Sequence, residues 1–370
     1  MKKIMLIIIC VMSAVLTQSD KAEEPVIAVV SPQVIASVSP AGQADLAEAQ
    51  ETSEMPPDDI PAVLVEKEIS ITLSFLGDCM LATSKGGMYE GSFNYMAQNM
   101  PPEYFFEGVI DIIGEDDFTI ADCENVFTDR PLYELEKGYY PAYWFKGPSK
   151  NAEIFSSNSI ELVSLANNHT YDYGIEGYND TVSAVEKAGV EWTDEAKPVI
   201  LEKDGVKIAV LSLILYRYGT YDATFSQIEE YKDKVDAVVV VFHGGTEKVH
   251  VPDEFKVKAA RAFIDAGANV VVGGHPHVLQ PFEEYNGGHI VYSIGNFCYG
   301  GSGGPENRTI IYQETLTFDK DGKLIGMNEN IIPCYVYSGQ TNNYQPAVIY
   351  DEEIKNKVLD FMYQRSSTLF

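Results

Sequence analysis

The chain has 370 residues, 45% of them hydrophobic, with 55 acidic against 26 basic side chains and a formal charge of −29. That is ample apolar material for one large core, whereas so acidic a chain excludes nucleic acid as a partner, because phosphate backbones are held by clustered Lys and Arg. Five cysteines, one of them at position 10, are too few for a disulfide scaffold.

Met1-Lys2-Lys3 and the apolar residues 4–16 form a charged region followed by a hydrophobic one. That run is shorter than the ~20 residues of a comfortable span, so residues 1–19 are expected to be a secretory signal or an N-terminal anchor. Residues 20–68 are acidic and rich in Pro, Ala and Ser, and lack aromatic side chains. A segment of this kind cannot bury enough apolar surface to order itself, and a disordered tether is expected. The folded part is then 69–370, exported to the cell envelope or beyond it.

Within 69–370, residues 69–75 alternate in the manner of a strand and run into Leu76-Gly77-Asp78-Cys79-Met80. Residues 96–113 read as a helix, or a helix with a loop at Pro101-Pro102. A strand at 118–121 leads to Asp122-Cys123-Glu124-Asn125. A short helix at 152–158 precedes a strand at 160–165, which leads to Ala166-Asn167-Asn168-His169. Residues 175–188 are an amphipathic helix stopped by Gly189, and 207–215 are a strand. The valine-rich run 237–242 leads to His243-Gly244-Gly245-Thr246-Glu247, and a helix at 253–266 stops at Gly267. The apolar run 268–272 leads to Gly273-Gly274-His275-Pro276-His277. Strands at 289–294, 309–318 and 324–335 come next, with Asp319-Lys320-Asp321-Gly322 as a hairpin turn; no downstream Glu completes a calcium loop. Residues 351–364 close the chain as a helix. Strands interleaved with helices imply an α/β fold of two packed sheets with helices outside.

The chain has six histidines. Two lie one residue apart in the Gly-His-Pro-His turn, and His169 and His243 each end an apolar run. Imidazole is the commonest metal ligand. A lone His-x-His is as readily a pair of turn residues. Four other strand ends here also carry ligand-type side chains, and ligands bind outside the carboxyl ends of strands in open α/β sheets. The five clusters are therefore expected to converge on one metal site. Cys79 and Cys123 also follow strand ends; a bridge between them is one reading, and burial as small apolar side chains is the commoner fate.

From about residue 69 to 336 these motifs resemble the CapA/PgsA proteins of bacterial capsule and poly-γ-glutamate synthesis, within the calcineurin-like metallophosphoesterase superfamily. The matching blocks are Gly77-Asp78-x-Met80, Asp122-Cys123-Glu124 where the family usually has Asn-Leu-Glu, and Leu165-Ala166-Asn167-Asn168-His169. They continue with His243-x-Gly245-x-Glu247, Gly274-His275-Pro276-His277-Val278 and Ser293-Ile294-Gly295-Asn296-Phe297. The resemblance implies a four-layer αββα sandwich of metallophosphatase type.

It further implies Glu124 as a bridging carboxylate, Asn168, His243 and His275 at one metal position, and Asp78 and His277 at the other. His169 would act catalytically on a scissile phosphate. The donors suit one or two Mn, Fe or Zn ions. Two departures stand out. Met80, as in the CapA group generally, stands where phosphoesterases usually carry a histidine, which weakens the Asp78 position, and Gly244 replaces the family's tryptophan, which widens the pocket. Glu247 is expected to orient a ligating histidine rather than to lie on the surface; Asn296 and Arg308 are expected beside the site or its substrate.

The implied function is a metal-dependent hydrolase acting on an anionic polymer such as poly-γ-glutamate, or on a phosphorylated precursor, alongside membrane synthase subunits. A non-catalytic polymer-binding or assembly component and a metallophosphodiesterase of unrelated substrate are the alternatives. Aromatic stretches at 139–146 and 216–221 are candidates for a polymer groove, and Lys146, Arg217 and Arg308 for cations that meet an anionic substrate.

Overall fold

The computed structural model describes residues 68–138, 140–217, 219, 221–301 and 304–364. The expected leader (1–19) and all but the last residue of the expected tether (20–68) lie outside the described residues. The chain runs β1 (Ile69–Met80), β2 (Thr83–Ser84), α1 (Phe93–Asn99), α2 (Ile110–Ile113), β3 (Phe118–Cys123), β4 (Val126–Phe127), β5 (Phe145–Gly147), α3 (Glu153–Ser156) and β6 (Leu162–Ser164). It continues with α4 (Gly174–Ala188), β7 (Glu191–Thr193), β8 (Val199–Lys203), β9 (Val206–Leu215), α5 (Asp222–Tyr231), β10 (Ala237–Gly244), α6 (Glu254–Ala266) and β11 (Val270–Gly274). Last come β12 (Leu279–Tyr285), β13 (Gly288–Ile294), β14 (Asn296–Tyr299), β15 (Thr309–Phe318), β16 (Leu324–Tyr335), β17 (Ala347–Val348) and α7 (Glu352–Gln364).

One sheet has the order β17-β16-β15-β1-β3-β6-β7, with β14 beside the end of β1; the other is β12-β13-β11-β10-β9-β8. A small third sheet, β2-β5-β4, stands beside them. The strand β10 shows why the two large sheets pack. Its Ala237, Val239 and Val241 enter the core between the sheets, opposite Ile71, Leu73 and Phe75 of β1. The alternate residues Val238, Val240 and Phe242 face Ile228 of α5 and Phe263 of α6. A strand buried on both faces reads as an unbroken apolar run. On the outer face of the first sheet, Ala121 and Val163 pack with Ile113, Phe155 and Val185 from the helices. Three cores between four layers make the αββα sandwich.

Strands β1, β3 and β6 are parallel, as are β9, β10 and β11. Their carboxyl ends therefore lie along one edge of each sheet. The strand β1 runs on past Phe75 to Met80, with an irregular register against β3 between Leu76 and Asp78. Only glycine fits at position 77: a Cβ there would lie 1.9 Å from Gly295 O. That close approach lets Asp78 N donate to Gly295 O at 3.0 Å and seats the Asp78 side chain in the edge.

One expectation needs correction. The helix expected at 96–113 is two short helices, α1 and α2, separated by a 3-10 turn at Pro102–Phe105. The reason is Pro101-Pro102, where two backbone donors are missing. Of the two readings of Cys79 and Cys123, burial as small apolar side chains is the one the structure bears out. They are register neighbours in parallel strands, and both are free and buried. Helix α5 and strands β2, β4, β5, β7, β8, β12, β14 and β17 were not anticipated. Among the described residues no helix is long and apolar enough to cross a membrane.

Candidate metal centre

Five strand ends deliver the site. From the first sheet, β1 supplies Asp78, β3 supplies Asp122 and then Glu124, and the loop after β6 supplies Asn168 and His169. From the second, β10 supplies His243 and the turn after β11 supplies His275 and His277. In that turn His275 and His277 have φ of 91° and 57°. Left-handed backbone at non-glycine residues is strained and persists only where the surroundings enforce it, typically at functional sites. Here Asp78 enforces it: His275 N donates to both carboxylate oxygens at 3.1 Å, and His277 Nδ1 lies 2.9 Å from Oδ2.

The contacts fall into two groups around one carboxylate. His243 Nε2 lies 2.7 Å from Asn168 Oδ1 and 2.9 Å from His275 Nδ1. The second group is Asp78 with His277. Between them stands Glu124, whose Oε1 is 3.5 Å from His243 Nε2, 3.8 Å from His277 Nε2 and 3.9 Å from His169 Nε2. Glu124 is fully buried, and neither of its carboxylate oxygens has a hydrogen-bond partner. Burial, with the neighbouring carboxylates adding to it against the pull of His277 and His243, pushes its carboxyl up to about 8.

An orphaned buried carboxylate beneath three imidazoles is costly by itself, and a cation is what the donor set lacks. Ligand atoms of Glu124, His275 and His277 all lie within 4.8 Å of one another, as do those of Asp78, Asp122 and His243. Oxygen and imidazole donors together fit Mn, Fe or Zn.

The supporting residues are as informative. Asp122 Oδ2 accepts from His243 Nδ1 at 2.6 Å, and its Oδ1 accepts from Asn167 Nδ2 at 2.8 Å. With the Nδ1 proton committed to Asp122, the Nε2 lone pair of His243 faces Glu124 and Asn168. This is the carboxylate–histidine pairing that orients metal ligands. On the other side, Asn296 Oδ1 lies 2.9 Å from His277 Nδ1 and shares that atom with Asp78. His277 is pushed up to about 10; burial works against this, but the charges of Glu124 and Asp78 and the Asp78 hydrogen bond outweigh it.

His169 is buried, with Nδ1 2.8 Å from Asp172 Oδ2 and its ring edge-on to Phe145. Lys137 reaches in from the loop before β5, its Nζ 2.5 Å from Asp172 Oδ1 and 3.3 Å from His169 Nδ1. Burial lowers the His169 pKa, so the neutral ring prevails.

The structure thus brings Asp78, Glu124, Asn168, His169, His243, His275, His277 and Asn296 together. Glu247 is a correction. It is exposed, and the orienting contacts expected of it are made by Asp122, Asp78 and Asn296. Arg308 is half-exposed and paired with Glu306 rather than directed at the centre. Lys146 is also turned elsewhere, 4.7 Å from the Tyr173 ring centroid. The sequence reading passed over Asp122, Asp172 and Lys137. Asp122 lay inside a quoted motif beside the more obvious Glu124. Asp172, three residues after His169, was findable as a partner in the same turn. Lys137 carried no local signal. A buried lysine, Lys256, also went unnoticed. Its Nζ donates to Gln280 Oε1 at 2.9 Å, and burial pushes it down to about 7.

Residues 72–300 match the model of a family described as bacterial capsule synthesis protein PGA_cap. The chain is 29% identical over 262 residues to the "PGA biosynthesis protein CapA" of Bacillus subtilis (strain 168), covering 65% of this chain and 66% of that one. It is 27% identical over 257 residues to the "Capsule biosynthesis protein CapA" of Bacillus anthracis, covering 62% and 60%. The matches therefore span a little under two thirds of those relatives' lengths. Among solved structures, a hypothetical protein from Thermus thermophilus aligns over 71% of this chain and 99% of its own, at 15% identity and a TM-score of 0.45. So loose a likeness carries no argument.

Proposed function

Since the chain belongs to the PGA_cap family of bacterial capsule synthesis proteins, we propose that it is an exported, divalent-metal-dependent hydrolase of capsule assembly. Its substrate on this reading is an anionic polymer such as poly-γ-glutamate, or a phosphorylated precursor, received from membrane synthase subunits. The observation that carries the reading is Glu124, a buried carboxylate with both oxygens unpartnered beneath His243, His277 and His169.

A divalent ion held by Glu124, His243, His275, His277, Asn168 and Asp78 supplies Lewis acidity and an activated water. The chain's own residues do the rest. Asp122 holds the Nδ1 proton of His243, and Asp78 with Asn296 holds that of His277, so both Nε2 atoms turn inward. Asp172 accepts the Nδ1 proton of His169 and leaves its Nε2, 3.9 Å from Glu124 Oε1, to exchange a proton with the reacting group. Lys137 balances the charge of Asp172 and stands 3.3 Å from His169 Nδ1.

Protein purified without chelator is expected to carry Mn, Fe or Zn. His169→Ala is expected to keep that metal and to lose turnover by ~10²- to 10⁴-fold, the usual loss for a positioned acid–base group. His275→Ala should lose both. Metal-free wild-type protein, or full turnover by His169→Ala, would overturn the reading. Export is tested by fractionation, and recovery of the protein from the cytoplasm refutes it.

One observation favours a non-catalytic, polymer-binding role instead. Met80, two residues after Asp78, is buried in an apolar cluster with Ala82 and Phe145 and brings no imidazole to the Asp78 side. Normal polymer production by cells carrying His169→Ala would select that role.

A further inference from the structure

We propose that the substrate lies as an extended chain across the centre, with one pendant carboxylate held by Arg217 on one side and another by Lys248 on the other. This rests on the reading of the centre as a metal site with an anionic polymer as its substrate, and adds which side chains hold that polymer on either side.

The centre is not the floor of a single cleft. His275, with Asn168 and His243, lines a cavity of about 320 Å³. His277, with Asn296 and Tyr299, lines a different one of about 480 Å³. Each is large enough to hold a small ligand by itself. The strained Pro276 turn sets the two imidazoles into different cavities, with ring centroids 5.8 Å apart. Their ligand atoms nevertheless stay within 4.8 Å of each other and of Glu124. One cluster of donor atoms therefore borders both cavities, and an extended chain, unlike a compact ligand, is long enough to meet a cation in each.

Charge follows the same plan. The chain carries 55 acids against 26 bases, yet each cavity has a basic side chain in its wall. The first contains Arg217 and no carboxylate. The Arg217 side chain is 60% exposed, and its nearest ion partner, Asp253, stands off at 3.6 Å. The second contains Lys248, whose backbone N donates to Pro276 O at 2.8 Å and so ties it to the histidine turn. The acid in that wall, Glu306, is already engaged by Arg308 and by His250 Nε2 at 3.1 Å. A phenol stands in each cavity too, Tyr216 in one and Tyr299 in the other. Each offers a hydrogen-bond donor to a carboxylate.

The test is equilibrium binding of end-labelled oligo-γ-glutamate of about ten units and of γ-glutamyl dipeptide. The full-length protein is used, with its metal and again after chelation. Arg217→Glu and Lys248→Glu are each expected to weaken oligomer binding by roughly three- to tenfold, the effect of an exposed ion pair lost and turned repulsive. The double variant should lose more, the dipeptide should lose less than the oligomer, and metal content and melting temperature should hold. Added salt should shrink the difference, since exposed charges are screened. Three results would overturn the proposal: oligomer affinity insensitive to both changes, sensitivity at one cation only, or equal losses for oligomer and dipeptide. Wild-type protein that carries no metal would instead defeat the underlying reading and is seen separately in the metal analysis.

Discussion

Asp122→Asn is the sharpest perturbation of the centre, because it keeps the shape of the side chain and changes only its hydrogen bonding. In the structure Asp122 accepts from His243 Nδ1 at 2.6 Å and from Asn167 Nδ2 at 2.8 Å. Asn167 cannot turn over to suit a new neighbour. Its Nδ2 also donates to Cys123 O at 2.9 Å, and its Oδ1 accepts from His169 N and Thr170 Oγ1, each at 3.1 Å. An asparagine at 122 must therefore choose. If its oxygen faces His243, its own amide meets the Asn167 amide, donor against donor. If its amide faces His243, the imidazole is forced to accept at Nδ1 and to carry its proton on Nε2, where the lone pair is needed. A charge-assisted hydrogen bond is worth about 1.5–3 kcal/mol, and loss of such an orienting partner typically costs ~10- to 100-fold in metal affinity. Competition against a chromophoric chelator measures this directly. Affinity within about threefold of wild type would refute the orienting role of Asp122. A loss as complete as that of His275→Ala would make Asp122 a ligand itself.

Gly77→Ala should prevent normal folding, because the added Cβ meets Gly295 O at 1.9 Å; a soluble variant with wild-type melting temperature and metal content would contradict this. Metal affinity should rise with pH, by about tenfold per unit for each displaced proton, up to the value near 8 to which burial raises Glu124 and beyond it towards the value near 10 of His277; a flat profile between pH 6 and 8 would count against both as ligands. Chelation should lower the melting temperature, since a ligand at 100 times its Kd adds about 2.7 kcal/mol; an unchanged midpoint would mean that the centre holds no metal. Far from the site, His289 Nδ1 lies 2.7 Å from the buried Glu314 between the sheets. Burial alone would lower the pKa of His289, but its hydrogen bond to Glu314 and the charge of that residue raise it. A raised folded value stabilises fully below the unfolded pKa of about 6.5 and is lost as pH rises through the folded one. The melting-temperature advantage of wild type over His289→Gln should therefore shrink with rising pH, and a constant difference from pH 6 to 9 would refute the pairing.

Much of this protein is written locally. The unbroken apolar runs of β10 and before His275 mark strands because burial on both faces demands apolar side chains at successive positions. The polar clusters at their ends show where ligands gather because parallel strands share one direction. The convergence of the five clusters and the layered α/β fold were legible for that reason, whereas the choice of Asp78, Glu124, Asn168, His243, His275 and His277 within the clusters came from the resemblance to the CapA/PgsA proteins. The break at Pro101-Pro102 was half legible, since proline marks where a helix stops without fixing the conformation of the residues after it. Choices between neighbours were not legible. Nothing in Asp122-Cys123-Glu124 says which carboxylate meets a histidine ring and which is left bare. That depends on the twist of β3 and on where Asn167 stands, two strands from β1. Lys137 reaches Asp172 from a loop with no periodic signal, and Glu247 lost its expected role because Asp78 and Asn296 reached His277 first. Residue type and order along the chain therefore determined which groups could bind a metal and on which edge. Which nitrogen carries a proton, which carboxylate stays unpartnered and whether one or two cavities reach the centre were decided only by packing. Those properties belong to contacts between residues as far apart as Asp78 and His275, and no local pattern in a chain encodes the distance between them.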